Sequence, residues 1–265
     1  MEWTAKNVQI LPHLRPKLAK GIGLGSGAKF KPWESFRSEG RAGTSRIRKG
    51  LKTGRVHDLP SASHRALFML NERRSDVLDI REGFPILQLD HTLQLCAQMG
   101  VAHPKKDGLP DPVVIDFLIT RRIEDELVFQ AQTLFSGSAL DAGQQPSLLD
   151  VQRAWCQPKG IDWYGVSTTE LTQTVVDTLD FFRGWVRHRY VPDDGEVLRV
   201  VSAFGKMHSP SESLRELITR CARRIRIEYS RCENAVRYAG WTGAIRIDPF
   251  SEVSLDSPLI LLRDE

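Results

Sequence analysis

The hydrophobic and polar positions predict an alternation of short strands and helices over roughly the first two thirds of the chain. Apolar runs rich in β-branched or aromatic residues predict strands at 77–80, 113–119, 127–132 and 161–166, with a further apolar run at 84–87. Apolar residues at helical spacing predict helices at 61–73 and 148–157. We therefore expect an α/β core, in which a small mixed sheet carries helices on its faces.

The pattern changes near residue 167, where helical periodicity becomes dominant. Ser167 and Glu170 have the spacing of a capping box, which predicts the start of a helix and a domain boundary. Further on, the pattern predicts two helices and then two strands: 211–225, 233–239, 244–247 and 259–262. Two helices followed by a two-stranded wing make a winged-helix unit, which we expect at the C-terminal end.

Positive charge is concentrated at the N-terminal end of a chain whose net charge is only +4 at pH 7. The first 60 residues hold 13 Lys and Arg against 4 Asp and Glu. Such a basic arm suits the neutralisation of DNA phosphates, and a solvated basic tail is the alternative. The candidate DNA contacts are Lys29, Lys31, Arg46, Arg48, Lys49, Lys52 and Arg55.

Length and composition exclude several classes of protein. The 265 residues suffice for one large or two ordinary domains, and 41% hydrophobic with 26% charged residues is typical of a soluble globular protein. No apolar run approaches the roughly 20 residues that span a bilayer. The N-terminal residues lack the pattern of a secretory signal, so we expect a cytoplasmic protein with no membrane partner. The four cysteines lack zinc-site spacing, which predicts reduced, mostly buried thiols.

A glycine-rich run precedes the sequence Lys31-Pro32-Trp33. Its glycines alternate with other residues, but Ser26 stands where a dinucleotide-binding fingerprint has its third glycine. No Gly-Lys-Ser/Thr follows, so a phosphate-binding P-loop is also excluded. We interpret the run as an extended basic segment whose aromatic residues, Phe30 and Trp33, tie it to the core or to a nucleic acid, and packing on the core is the role that we expect.

The candidate catalytic residues are a carboxylate within one predicted buried strand and two glutamines in the next strand. Asp116 is the only acid within the apolar run 113–119, and an ionised carboxylate buried there needs a partner. The next strand offers Gln130-Ala131-Gln132. A magnesium-dependent nuclease uses carboxylates on adjacent strands and a nearby Lys that helps to activate water. Gln132 is neutral and cannot replace that Lys, and Gln130 could be only a weak metal ligand.

Several stretches, in this order and spacing, resemble the TnsA family, the endonuclease subunit of Tn-seven-type heteromeric transposases. These are the glycine-rich run, 52–57 (Lys-Thr-Gly-Arg-Val-His), 77–82 (Val-Leu-Asp-Ile-Arg-Glu), Phe84-Pro85, His103-Pro104, Asp116-Phe117-Leu118 and Ile161-x-Trp163. The resemblance runs from about residue 21 to 166, and more loosely to the C-terminus.

The resemblance implies three domains and a degenerate catalytic site. The domains are a basic arm (1–55), a restriction-endonuclease-like core (56–166) and a winged-helix-like domain (167–265). The family's catalytic Glu, Asp and Gln-x-Lys fall on His64, Asp116 and Gln130-x-Gln132, and a further acid falls near Gln152. A metal at Asp116, Mg²⁺ in this family, is implied only if the nuclease is active. His64 is either a base or ligand for a softer metal, or an ordinary helix residue.

Arginines crowd the C-terminal region. Arg suits phosphate groups and acidic protein partners, and a solvated basic face is the alternative. The resemblance implies that this region engages the transposition machinery, notably an AAA+ ATPase regulator, as well as DNA. The candidate partner contacts are Arg223, Arg224, Arg231 and Arg237.

Three functions follow from these observations. The first is a transposase subunit with an inactive or impaired nuclease core, which binds transposon-end DNA, a DDE-type transposase subunit and the AAA+ regulator. The second is an active endonuclease that cuts the 5′ strands at transposon ends. The third is a free-standing winged-helix regulator that has left transposition.

Overall fold

The computed structural model describes residues 11–34, 47–137 and 146–262. The chain divides into two compact units. The first consists of the chain up to Glu72 together with Asp76–Thr169, and the second of Arg73–Ser75 together with the chain from Glu170 onward. Within the described residues, no helix is long and apolar enough to cross a membrane.

The first unit is built around a four-stranded mixed sheet. Its elements in chain order are α1 (Arg15–Ala19), β1 (Ile47–Lys49), β2 (Val56–Asp58), α2 (Ala62–Glu72), β3 (Val77–Ile86), α3 (Leu89–Met99), β4 (Lys105–Lys106), β5 (Leu109–Pro110), β6 (Val113–Ile123), β7 (Glu126–Phe135), α4 (Leu148–Cys156) and β8 (Asp162–Ser167). The sheet order is β3-β6-β7-β8, with β7 and β8 parallel and the other pairs antiparallel. The predicted mixed α/β core is confirmed.

The strand β3 joins two apolar runs that the sequence pattern separates. Gly83 lies between them with a φ of +57°, a left-handed conformation that glycine adopts without strain. It bonds through its carbonyl to the backbone N–H of Trp33, which holds the glycine-rich segment against this strand. The expectation that Phe30 and Trp33 pack on the core is confirmed, since both are buried.

The glycine-rich segment itself is compact rather than extended, contrary to expectation. Ile22 forms a parallel bridge with Lys31, and residues Gly27–Lys29 form a turn of 3-10 helix. A Cβ on Gly23 would lie 2.6 Å from Pro85 Cγ, so this position closes against β3 only as glycine. The glycines therefore serve close packing and tight turning, for which the basic composition of the segment gave no signal.

A break in side-chain alternation occurs in β6 at Asp116. Ile115 and Leu118 lie in the same buried cluster with Phe84 and Ala131, although residues three apart in a regular strand point to opposite faces. The break lies opposite Gly83, because the register pairs Glu82 with Phe117 and Phe84 with Ile115. Asp116 thus sits where the strand changes the face that it presents.

The helix α3 has no counterpart in the sequence predictions. Its buried residues Leu89, Thr92 and Cys96 have helical spacing, and Gly100 ends it in a left-handed conformation. The signal was weak because a Thr and a Cys occupy two of the three buried positions.

The second unit is helical. It contains α5 (Gln173–Arg187), α6 (Asp194–Met207), α7 (Leu214–Ile225) and α8 (Tyr229–Thr242). The predicted capping box at Ser167 is wrong, since α5 begins six residues later. Ser167 instead ends β8, and the N–H of Thr168 bonds to the carbonyl of Phe135, which continues the strand pairing.

The two strands predicted for a wing do not form in the described residues of this unit. Their segments meet at a single antiparallel bridge between Ile247 and Leu261. Two backbone bonds flank it, from Leu262 N–H to the Arg246 carbonyl and from Asp248 N–H to the Ile260 carbonyl. Both segments are too short, and residues 249–258 between them too irregular, to extend this bridge into a ladder.

All four cysteines are buried and unpaired, as predicted. Burial raises the pKa of the Cys156 thiol to about 12, so this group remains protonated at neutral pH and is a poor nucleophile.

Replacing Gly240 with Ala should destabilise the helical unit by about 1–3 kcal/mol, because the added Cβ would lie 2.3 Å from a ring carbon of Phe182. Gly205→Ala in α6 is a matched control, since its Cβ would meet nothing within 4 Å. This change replaces a helical glycine, which should stabilise the protein by up to about 1 kcal/mol. Urea unfolding of both variants measures the two effects. Equal stability of the two would contradict the close packing at Gly240.

Candidate functional site

Asp116 lies at the break in β6 with one oxygen satisfied and the other facing a histidine. Its Oδ2 accepts a hydrogen bond from the N–H of Leu134 in β7 at 2.7 Å. Its Oδ1 is 3.6 Å from Nε2 of His64. The Asp116 side chain is 27% exposed and that of His64 is 23% exposed. The carboxylate is thus reachable from solvent, with an imidazole as its neighbour.

His64 is held by the first turn of α2. Ser61, just before α2, accepts the backbone N–H of His64 at 3.2 Å through its Oγ, which also lies 2.7 Å from His64 Nδ1. The imidazole packs beside Phe117, with 6.0 Å between ring centroids. The ring is therefore fixed on three sides by Ser61, Phe117 and Asp116, and the structure brings two of the sequence-predicted site residues together.

Gln132 is committed to a structural pair. Asn71 Nδ2 in α2 donates to Gln132 Oε1 at 2.7 Å, and Gln132 Nε2 donates back to Asn71 Oδ1 at 3.3 Å. Both side chains are buried. This reciprocal amide pair ties α2 to the sheet at the position where the family pattern has a cation.

Two further glutamines are buried near these strands. Gln152 in α4 accepts from Thr133 Oγ1 and Trp163 Nε1 and donates to the carbonyl of Val114, so it is fully engaged in packing. Gln130 is buried with its Oε1 lacking a hydrogen-bond partner among the described residues. A buried amide oxygen without a partner costs about 1–3 kcal/mol.

The donor set is a poor match to a magnesium site, because it offers one carboxylate beside neutral amides. Mg²⁺ in proteins is held by one or more carboxylates in near-octahedral oxygen geometry. Within 11–34, 47–137 and 146–262, no group of three or more His, Cys, Asp or Glu side chains is placed to hold a metal ion. Asp116 is the single carboxylate of the predicted constellation, and Gln132 is occupied by Asn71. We therefore assign no metal-dependent step to these residues.

Glu82 joins the two most distinctive stretches of the sequence in one buried cluster. Arg55 donates to both carboxylate oxygens of Glu82 and to the carbonyl of Ile80. His57, fully buried, places Nδ1 at 2.8 Å from Glu82 Oε2 and Nε2 at 2.9 Å from Thr53 Oγ1. Burial raises the pKa of the Glu82 carboxyl, but the hydrogen bonds from Arg55 and His57 outweigh it, so that pKa lies below its ordinary value.

The contact between Arg55 and Glu82 was not predicted from the sequence, where Arg55 was a DNA-contact candidate. Its guanidinium is buried against Glu82 and also lies over Phe30 at 5.3 Å, so it is unavailable to phosphate. An Asp79–Arg81 ion pair, with 3.3 Å between Oδ2 and Nε, lies on the same strand as Glu82. The available signal in the sequence was the pair Arg55 and His57, on either side of one residue, together with Glu82 at the end of the stretch 77–82.

The other predicted DNA contacts have mixed positions. Lys29, Lys49 and Lys52 are exposed, and Arg48 is partly exposed on β1. Lys31 is exposed and donates to the Lys20 carbonyl. Arg46 lies outside the described residues.

The predicted partner-binding arginines also divide. Arg223 and Arg224 are exposed near the end of α7. Arg231 is exposed but bonded to Glu196 at 2.5 Å. Arg237 is buried, bonded to Glu233 and to the carbonyl of Phe181, and stacked over the Phe181 ring. Arg237 is therefore a packing residue, and its predicted role at a partner surface does not fit its burial.

Comparison with known proteins identifies the relative. No protein-family model matches the chain. The transposon Tn7 transposition protein TnsA of Escherichia coli is 31% identical over 165 residues, which is 62% of this chain and 60% of that protein. The chain is similar to TnsA over this region. The resemblance found in the sequence is confirmed, and the similar region spans less than two thirds of the length of TnsA.

Proposed function

We propose that this chain is a TnsA-like subunit of a Tn7-like transposition machine whose nuclease core is inactive or impaired. The similarity to TnsA supports the assignment to transposition. The observation that carries the impairment is the pairing of Gln132 with Asn71 beside a single carboxylate, Asp116. Without a second carboxylate and a Lys, the site lacks both metal affinity and water activation.

The residues that remain support binding rather than cleavage. The exposed cations Lys29, Lys49 and Lys52 suit contacts with the phosphates of transposon-end DNA. The chain would dock with a DDE-type transposase subunit and an AAA+ ATPase regulator, and it would require Mg²⁺ only if cleavage persists. Such a subunit is needed for assembly of the complex while it leaves the 5′ strands uncut.

Strand-specific cleavage of transposon-end DNA tests the proposal. The protein is mixed with its cognate transposase subunit, first with Mg²⁺ and then with Mn²⁺, alongside the variant Asp116→Ala. We expect no 5′-strand cut by either protein, and 3′-strand cleavage by the partner that depends on adding this chain. Cuts on the 5′ strand that disappear in Asp116→Ala would overturn the proposal and establish an active endonuclease.

A further inference from the structure

The arginines and lysine of α6, α7, α8 and the residue after α7 fall into two electrostatic groups. Four of them are neutralised by acids: Arg215 by Asp256, Arg220 by Glu212, Arg231 by Glu196 and Arg237 by Glu233. Five exposed cations of α6, α7 and the residue after α7 have no ion-pair partner among the residues that the structure describes: Arg199, Lys206, Arg223, Arg224 and Arg226. On these helices the positive charge without an ion-pair partner is thus concentrated on α6 and at the end of α7; Arg187 and Arg189, at and just after the end of α5, are also exposed.

Three of these cations surround a shallow groove. Arg199, Ser202 and Lys206 follow one another at helical spacing on α6, and Arg224 belongs to α7, which packs against α6. The groove, of about 310 Å³, lies between them. Each Arg or Lys contributes a positive charge that no ion pair among the described residues neutralises. An anionic partner would therefore not have to displace a carboxylate of the protein itself.

The floor of the groove is apolar. Leu198, Ala203 and Ile225 line it, and Leu198 is 69% exposed. An exposed Leu on a helix that already buries Val197, Val200, Ala203 and Phe204 does not contribute to the core of the unit. Apolar surface framed by unpaired cations is the combination expected of a site for a partner protein rather than for DNA backbone, since phosphates offer nothing to cover the apolar floor.

We propose that this groove binds an acidic segment of a partner protein, with Leu198, Ala203 and Ile225 receiving its apolar side chains and Arg199, Lys206 and Arg224 its carboxylates. The inference deepens the proposed function, because it names the surface and the chemistry of a docking partner. Charge complementarity would set the rate and specificity of association, and the apolar contact would set the lifetime of the complex.

A synthetic peptide tests the groove without any transposition protein. The probe is a fluorescent peptide of about four helical turns with Glu on one side and Leu at i, i+3 and i+4 spacing, and its Glu→Gln counterpart is the control. Fluorescence anisotropy with the full chain should show binding of the acidic peptide at least tenfold tighter than that of the Gln peptide. Raising the ionic strength should reduce this difference.

Matched variants locate the binding. The double variant Lys206→Gln with Arg224→Gln should weaken binding of the acidic peptide tenfold or more. Leu198→Ser should weaken this binding several-fold. Arg220→Gln is the control, because Arg220 is exposed on the same helix but already bonded to Glu212 and outside the groove. Its effect should stay within about twofold, as expected of an exposed pair.

Three outcomes would overturn the proposal. They are equal binding of both peptides, equal effects of the Lys206/Arg224 double change and the Arg220 change, or binding of a DNA duplex that the double change weakens while the peptide does not bind. Each variant is checked by circular dichroism and thermal unfolding, and the exposed positions of all four residues predict unchanged melting. The groove and the proposed function can fail separately, since the cleavage assay does not involve the peptide.

Discussion

Replacing His64 with Glu and Gln132 with Lys in one variant should create divalent-metal-dependent cutting of the 5′ strand, which we expect the unmodified chain to lack. A Glu at 64 would bring a second carboxylate beside Asp116, because the imidazole it replaces lies 3.6 Å from Asp116 Oδ1. A Lys at 132 would supply the missing cation on the neighbouring strand. General acid–base groups of this kind contribute about 10²–10⁴-fold to rate.

Metal binding by this double variant can be followed without DNA. Two carboxylates that share one site repel each other, so a bound divalent ion should stabilise the fold, by about 2.7 kcal/mol at a hundredfold excess over the dissociation constant. Thermal unfolding with and without Mn²⁺ measures this shift. The matched control is His64→Gln with Gln132→Lys, which loses the same Asn71 bonds but gains no carboxylate. An identical response of both variants would show that the metal does not bind at Asp116.

The second large effect should come from Glu82→Ala. The change leaves the Arg55 guanidinium and the His57 ring buried without their acceptor, and breaking a buried pair in this way costs about 3–5 kcal/mol. Urea unfolding should show this loss, and Glu126→Gln on the exposed start of β7 is the control with almost no effect. A loss below about 1 kcal/mol for Glu82→Ala would mean that the cluster is not a main support of the core.

The same carboxylate makes stability depend on acid. Its folded pKa lies below the ordinary value of 4.5, so the ionised form is favoured by folding. The resulting stabilisation is present above pH 4.5 and is lost as the pH falls below that value through the folded pKa. The unmodified protein should therefore lose more stability in this acid window than Glu82→Gln, and thermal unfolding across the window compares the two.

Sequence patterns predicted the core of the fold better than they predicted the geometry of the candidate site. Residues 113–119 are so rich in β-branched side chains that their strand follows from local preference and burial. The resemblance put His64 and Asp116 at two catalytic positions of one family, but it did not predict that their side chains lie next to each other. Its geometry depends on the alternation break opposite Gly83, which no local periodicity reveals.

The errors have tertiary causes. The Ser167–Glu170 spacing satisfies a capping box, but continued pairing with β7 outweighs it. Arg55 and Arg237 carry the same charge as exposed arginines, and only their neighbours, Glu82 and Glu233, turn them into packing residues. Charge counts cannot separate paired from unpaired cations, and so α6, with Arg199 and Lys206, was overlooked.

The Glu82 cluster is built from residues that carry the resemblance to TnsA rather than from the positions of the family's catalytic groups. The stretches around Arg55 and Glu82, which carry the resemblance, contact each other in the interior, and Glu82 pairs across the sheet with Phe117, the neighbour of Asp116. We therefore expect the cluster to support the fold whether or not the neighbouring positions carry catalytic groups. If the proposed function is right, the cluster indicates a shared architecture in proteins that have these stretches, and positions 64, 116 and 132 indicate whether cutting is retained.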